Sequence, residues 1–256
     1  MTRFVRCFGF THNKSETAIA RWLRRFKQIL FLFAVLYAAL YTFPQVLFPY
    51  SLSVQGVTLY SRSPLSPEAP QRIAEMMQLI QRSELAVPGR SERIFICNHP
   101  WLFRLLSPIS GGAFAYSLPV TDNVFVANAD LTNNVAHSAA PNFNTRSFSA
   151  VAAHEITHGL IRRRVGLLNN LPTWIIEGYC DYVAHESSFP ETEGLRLLTA
   201  GKQHPSGSFR YFVFRQMVSY LIEDRHFSFQ QILERADKAA SVEEETLKAI
   251  KARNSQ

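Results

Sequence analysis

Outside its first 27 residues the chain has almost no net charge. Of a formal total of +7, the segment 1–27 holds +6: Arg3, Arg6, Lys14, Arg21, Arg24, Arg25 and Lys27 against Glu16. The remaining sequence carries +1, so the high isoelectric point belongs to the tail and gives no reason to expect a nucleic-acid partner. Cysteine is scarce as well. Cys7, Cys97 and Cys180 are the only three in 256 residues, too few to decide a compartment; Cys97 and Cys180 leave one pairing open, against two buried free thiols. No internal repeat or low-complexity segment occurs, so no array of repeated units is expected. What is present is 47% hydrophobic and 18% charged, enough for one domain with a sizeable core plus an appendage.

The appendage is expected at the N-terminus. Gln28 to Tyr50 contains no charged residue, and its centre, Ile29 to Tyr41, is apolar throughout. About twenty such residues cross a bilayer as a helix. On this reading residues 1–27 are a basic cytoplasmic tail and 28–50 a single transmembrane anchor. Tyr37, Tyr41 and Tyr50 would sit at its interfaces, and Pro44 would kink or end it. Residues 51–256 then form a domain on the non-cytoplasmic side. A cleaved signal peptide and a buried core helix are the alternatives; the bulky Thr42-Phe43-Pro44-Gln45 and Phe48-Pro49-Tyr50 offer no small-residue cleavage site.

The most informative stretch is Ala153-His154-Glu155-Ile156-Thr157-His158-Gly159, an H-E-x-x-H sequence. On a helix, residues four apart share a face, so His154 and His158 can aim two imidazoles at one small volume. Glu155 is turned about 100° away, where a general base can stand beside a metal without ligating it. Thr145 and Ser147 are N-cap candidates for that helix. Phe148, Val151, Ala152, Ile156 and Leu160 give it an apolar side, Arg162 to Arg164 suit its C-terminal dipole, and Gly166 stops it. Eighteen residues after His158 comes Glu177, on a segment opened by Pro172. Glu177 is the candidate third ligand. Asp181, one turn later, is placed to take a hydrogen bond from the far nitrogen of a ligating histidine.

His154-Glu155-x-x-His158, the eighteen-residue gap and Trp174-x-x-Glu177-Gly178 resemble the gluzincin zinc metallopeptidases. The gap and the W-x-x-E-G context are similar to the aminopeptidase branch, and Glu177-x-x-x-Asp181 to the thermolysin-like pattern. The likeness covers roughly residues 145–187, with a weaker echo over Tyr211 to Leu221. The chain departs from the aminopeptidase pattern in having no G-x-M-x-N exopeptidase motif. The resemblance implies a peptidase MA-like domain: an α+β, zincin-like fold with a small mixed sheet and a helical lobe, preceded here by the transmembrane helix. It implies Zn2+ on His154, His158 and Glu177, and hydrolysis of a peptide or protein substrate. Glu155 would be the general base and Tyr211 the oxyanion donor, with Tyr220 competing for that last role and an ordinary core tyrosine the plain alternative. A zinc-bearing but non-peptidolytic membrane scaffold or binding module is the second reading. An intramembrane protease is disfavoured, because Arg162-Arg163-Arg164 closes the zinc helix.

Elsewhere the pattern predicts extended chain over 51–61 with a turn at Gln55-Gly56, and an amphipathic helix over about 67–86 whose methionines pack the core. A strand is expected at 93–97, mostly loop over 98–123, and a strand over 123–130. The resemblance makes that last strand an edge that pairs with substrate, with Asn128 as a contact. Ser188 to Ser208 reads as loop and Phe209 to Asp224 as a packed helix. Ser228 and Ser241 are caps of two more, the second with a capping box to Glu244.

Overall fold

The computed structural model describes residues 18–140 and 144–253, so most of the basic tail, with Cys7 and His12, lies outside the described residues. The chain divides into two units, Met1–Pro44 and Gln45–Gln256.

The first unit overturns the expectation of a membrane anchor. Its helix α1 spans Ala18–Thr42, and among the described residues no helix is long and apolar enough to cross a membrane. The reason is where the helix begins and ends. Arg21, Arg24, Arg25 and Lys27 occupy its first ten residues, and it stops two residues before Pro44. The uncharged part, 28–42, is about 22 Å long at 1.5 Å per residue, against a hydrocarbon core of about 30 Å. The single-pass topology, with a cytoplasmic N-terminus and the catalytic domain on the far side, falls with the span.

The second unit is α+β. Strands β1 (Tyr50–Val54) and β2 (Val57–Ser61) form a hairpin with Val54 opposite Val57. The turn works because both central residues take positive φ, Gln55 at 50° and Gly56 at 85°. Gly56 has a second reason to be glycine: a Cβ there would lie 2.8 Å from the Arg90 carbonyl oxygen. Helix α2 (Ala69–Ile80) carries the chain to β3 (Glu92–Ile96), parallel to β2. Next come α3 (Pro100–Leu106), β4 (Ala115–Ser117) and β5 (Val124–Val126). The sheet order is β1-β2-β3-β5-β4, mixed parallel and antiparallel. Thus the strand expected at 123–130 is split, and only its second half lies at an edge, that of a different sheet. Its first half, β5, lies inside the five-stranded sheet, between β3 and the edge strand β4. Its second half, β6 (Asn128–Asp130), joins β7 (Val135–His137) and β8 (Thr145–Ser147) in a separate three-stranded sheet. Asn98 makes the break by pairing its side chain with Ala129 as a strand would: Ala129 N–H donates to Oδ1 at 2.8 Å, and Nδ2 donates to the Ala129 carbonyl at 3.3 Å.

Helix α4 (Phe148–Val165) follows β8 directly, with α5 (Thr173–Ala184), α6 (Glu191–Thr199) and α7 (Gly207–Ser219) after it. A π-helical turn over Tyr220–Asp224, α8 (Phe229–Leu233) and α9 (Ala239–Arg253) complete the unit. The α4 helix is buried nearly all round because it is the partition between two cores. Its Phe148, Val151, Ile156 and Leu160 pack with the sheet and with Ile73 and Met76 of α2. Beyond it, Trp174, Tyr179, Phe212, Met217 and Ile232 form the core of the helical lobe. Cys97 and Cys180 are both buried free thiols, so the pairing left open by the sequence is not formed.

One end of the partition holds a charge cluster built around the buried Glu92. Asp122 accepts from Arg90, Arg162 and Arg163 at 2.9–3.1 Å, and Arg90 Nε lies 2.7 Å from Glu92. Gly159 lets the cluster approach, since a Cβ there would stand 3.2 Å from both Arg90 and Asp122. Burial raises Glu92 to about 7; the attraction of Arg90 only partly offsets it, and Asp122 adds repulsion while Arg163 opposes it. A raised carboxyl pKa favours the neutral form in the fold. The associated stability is present below the ordinary value near 4.5 and is lost as pH rises through about 7. Glu92→Gln is therefore expected to flatten the fall in unfolding free energy between pH 5 and pH 7.5, a difference of about 3 kcal/mol at most. Urea unfolding midpoints across that range measure it; an unchanged slope in the variant would rule Glu92 out as its source.

Candidate metal centre

His154 and His158 are brought together by a single turn of α4. Their Nε2 atoms are 3.2 Å apart, with the rings at 75° to one another. Two donors about 2.0–2.1 Å from one tetrahedral ion stand about 3.3 Å apart, so the pair has the spacing that two zinc ligands need. Glu177 reaches the same point from α5. Its carboxylate oxygens lie 3.4 Å from His154 Nε2 and 3.8 Å from His158 Nε2. The two helices are held at this distance because α5 is wedged between α4 and α7. Gly178, next to Glu177, sits directly on the α7 backbone.

Asp181, one turn beyond Glu177, fixes the first imidazole. Its Oδ1 lies 2.8 Å from His154 Nδ1, which turns Nε2 toward His158 and Glu177. Asp181 is in turn held by Arg146, whose Nη2 donates to the same oxygen at 3.1 Å and to the Glu186 carbonyl at 2.9 Å. Arg146 is buried on β8, two residues before α4, so the strand that launches the helix also anchors the carboxylate behind it. No sequence signal points to this role. Arg146 stands 35 residues from its partner, and an arginine before a helix has no motif of its own.

The electrostatics follow from the crowding. Burial alone would lower His154, but its hydrogen bonds to Asp181 and Glu177 and their negative charges outweigh burial and raise it to about 10. His158 is lowered, by burial first and then by the charge on His154. Burial works to raise Glu177 and Asp181, yet both end below the usual carboxylate range. The histidines hold Glu177 down, and Arg146 with His154 holds Asp181 down. The centre is thus built to hold positive charge between two carboxylates. Two imidazole nitrogens and a carboxylate, with the far nitrogen of His154 already engaged, are a donor set that could hold a divalent transition ion.

This group forms one wall of a cleft of about 820 Å3. Glu155 and Tyr211 line it beside the histidines, and residues 114–117, which include the edge strand β4, line it too. Tyr211, 40% exposed on α7, faces the cleft. Tyr220 does not line it; it sits on the π-helical turn and its hydroxyl accepts from Arg225. Asn128 is likewise outside the cleft, paired with His137 in the second sheet.

A comparison of the chain with protein-family models and with curated proteins found no match. The site therefore stands on its own geometry.

Asp181→Asn is expected to cost stability and to weaken any zinc binding at this centre about 10–100-fold, because the amide neither carries the charge that pairs with His154 nor balances the buried Arg146. Competition with a chromophoric chelator reads this directly. Wild-type affinity in the variant would show that His154 needs no such support.

Proposed function

We propose that this chain is a gluzincin-type zinc peptidase that hydrolyses peptide bonds in an extended substrate. The observation that carries the reading is the convergence of His154, His158 and Glu177 at one point on the wall of a cleft that also holds Glu155 and a free strand edge. A zinc ion held by those three side chains supplies Lewis acidity and a water acidified toward neutral pH.

The chain's own residues do the rest. A peptide laid along β4 gains the main-chain hydrogen bonds of an added strand, since among the described residues β4 pairs with β5 alone. That alignment carries a carbonyl past the histidines. Glu155, partly exposed on the cleft wall, takes a proton from the attacking water on its carboxylate oxygen and hands it to the leaving amine nitrogen. The Tyr211 hydroxyl donates to the oxyanion from the opposite lobe. Asp181 keeps His154 in the tautomer that presents Nε2, and Arg146 keeps Asp181 ionised.

Digestion of a peptide library by the full chain tests this. Cleavage that disappears with a chelator and returns with one equivalent of zinc is expected. Protein carrying stoichiometric zinc that cleaves no peptide in the library would overturn the reading.

A further inference from the structure

Cys180 is the one buried reactive side chain beside the centre to which the proposed chemistry assigns nothing. It lies on α5 between Glu177 and Asp181 and is completely buried. Its sulfur and a ring nitrogen of each of His154 and His158 all lie within 4.8 Å of one another. Glu177, by contrast, lines the cleft and Cys180 does not. The two donors of α5 therefore approach the histidine pair from different sides, the carboxylate at the mouth and the sulfur from the protein interior. That separation follows from the helix: residues three apart are neighbours offset around the axis, so one turn of α5 presents both to the same partner helix.

We propose that Cys180 is a fourth protein ligand, giving the centre a donor set of two histidines, one glutamate and one cysteine that favours a thiophilic divalent ion. This rests on the metal-binding half of the function proposed above and not on peptide hydrolysis. A zinc–sulfur bond is about 2.3 Å and a zinc–nitrogen bond about 2.0–2.1 Å, so a sulfur shares an ion with imidazole nitrogens about 3.6 Å away. From the outer limit of the separation seen, a shift of about 1.2 Å brings Cys180 into that range. On ligation the thiol proton leaves to solvent and the thiolate stays on the ion. Zinc also accommodates five ligands, so sulfur on the interior side leaves the cleft side open to water. The chemical consequence is selectivity. Thiolate is a soft donor, and a hard ion such as Mn2+ gains little from it while Zn2+, Co2+ and Cd2+ gain much. A second consequence is that the ion keeps three donors if Glu177 moves away during turnover.

Cobalt reports sulfur ligation by its absorption. The full chain loaded with one equivalent of Co2+ is expected to show a near-ultraviolet thiolate-to-cobalt charge-transfer band together with visible ligand-field bands. Cys180→Ala and Cys180→Ser should abolish the charge-transfer band and keep the visible bands, while Cys97→Ala should keep both. Cadmium affinity should fall more than about tenfold in Cys180→Ala and manganese affinity should change less than about threefold. Far-ultraviolet circular dichroism checks that each variant is folded, and Cys180→Ser covers the case in which alanine is not tolerated. Wild-type protein with visible bands but no charge-transfer band, or a band that survives Cys180→Ser, overturns the sulfur ligand and leaves the centre of two histidines and a glutamate standing. Failure to bind cobalt at all overturns both. A sulfur band in a protein that cleaves no peptide supports the ligand and removes only the peptidase.

Discussion

Glu155→Gln is expected to bind one zinc ion per chain as tightly as the wild type and to lose about 10²–10⁴-fold in kcat/KM on any peptide the wild type cleaves. Both halves follow from position. Glu155 is one residue from His154, hence turned about 100° from the ligand face, and it lines the cleft rather than the contact between α4 and α5. It is outside the set proposed to hold the ion, so an amide there leaves those donors untouched. It is also a carboxylate that lines the cleft beside the histidines without converging on their Nε2 atoms as Glu177 does, and an amide accepts no proton at neutral pH. The loss should fall on kcat, with KM nearly unchanged, because proton transfer belongs to the transition state. A variant that keeps zinc and full activity would take the base away from Glu155; one that loses zinc would place Glu155 among the ligands.

Gly178→Ala is expected to destabilise the helical lobe by about 2–3 kcal/mol. An added Cβ would stand 2.6 Å from the Phe214 carbonyl oxygen, 2.9 Å from its carbon and 2.9 Å from Val218 Cγ2. Two of those three atoms are backbone, so no side-chain rotation relieves the clash, and α5 must move off α7. Since Glu177 is the neighbouring residue, the same movement withdraws a carboxylate from the histidines, and zinc affinity should fall together with stability. Urea unfolding of the chelated protein isolates the packing cost. For a domain of this size each kcal/mol lowers Tm by roughly 2–4 °C. Gly207→Ala is the matching control: nothing lies within 4 Å of a Cβ there, and stability should stay within about 1 kcal/mol. Equal stability of the two variants would mean that α5 and α7 can separate at no cost.

Much of the site is legible in the sequence because its rules are local. The spacing of His154 and His158 needs only helical periodicity. The Gln55-Gly56 turn and the Ser228 cap, which forms a capping box with Gln231, likewise need only their neighbours. What the sequence hides is set at a distance. Residues 188–208 read as loop because of Pro190 and Gly194, yet Pro190 is the N-cap of α6 and Gly194 is a packing residue. A Cβ at 194 would lie 2.4 Å from the Phe212 ring. Pro100, read as part of a loop, opens α3 in the first turn, where proline costs nothing. Ser241 fails as a cap for the opposite reason. Helix α9 begins two residues earlier, and Ser241 bonds Glu245 from inside it. The strand at 123–130 looks continuous, but Asn98 pulls its second half into another sheet and leaves β4, a three-residue strand in a Gly/Pro/Ser-rich stretch, as the edge. The apolar run at 28–50 has the composition of a span without the uncharged helix length, because four basic residues occupy the first ten positions of the helix and it stops two residues before Pro44.

The proposed function depends on one ion being held between two helices. X-ray data collected on either side of the zinc absorption edge, from crystals of protein purified without chelator, test it in one experiment. A single anomalous peak is expected about 2 Å from the Nε2 atoms of His154 and His158 and from a Glu177 carboxylate oxygen. A fully ordered centre with no anomalous peak there, and with the His154 and His158 nitrogens still bonded to each other, would refute the metal site and the chemistry built on it.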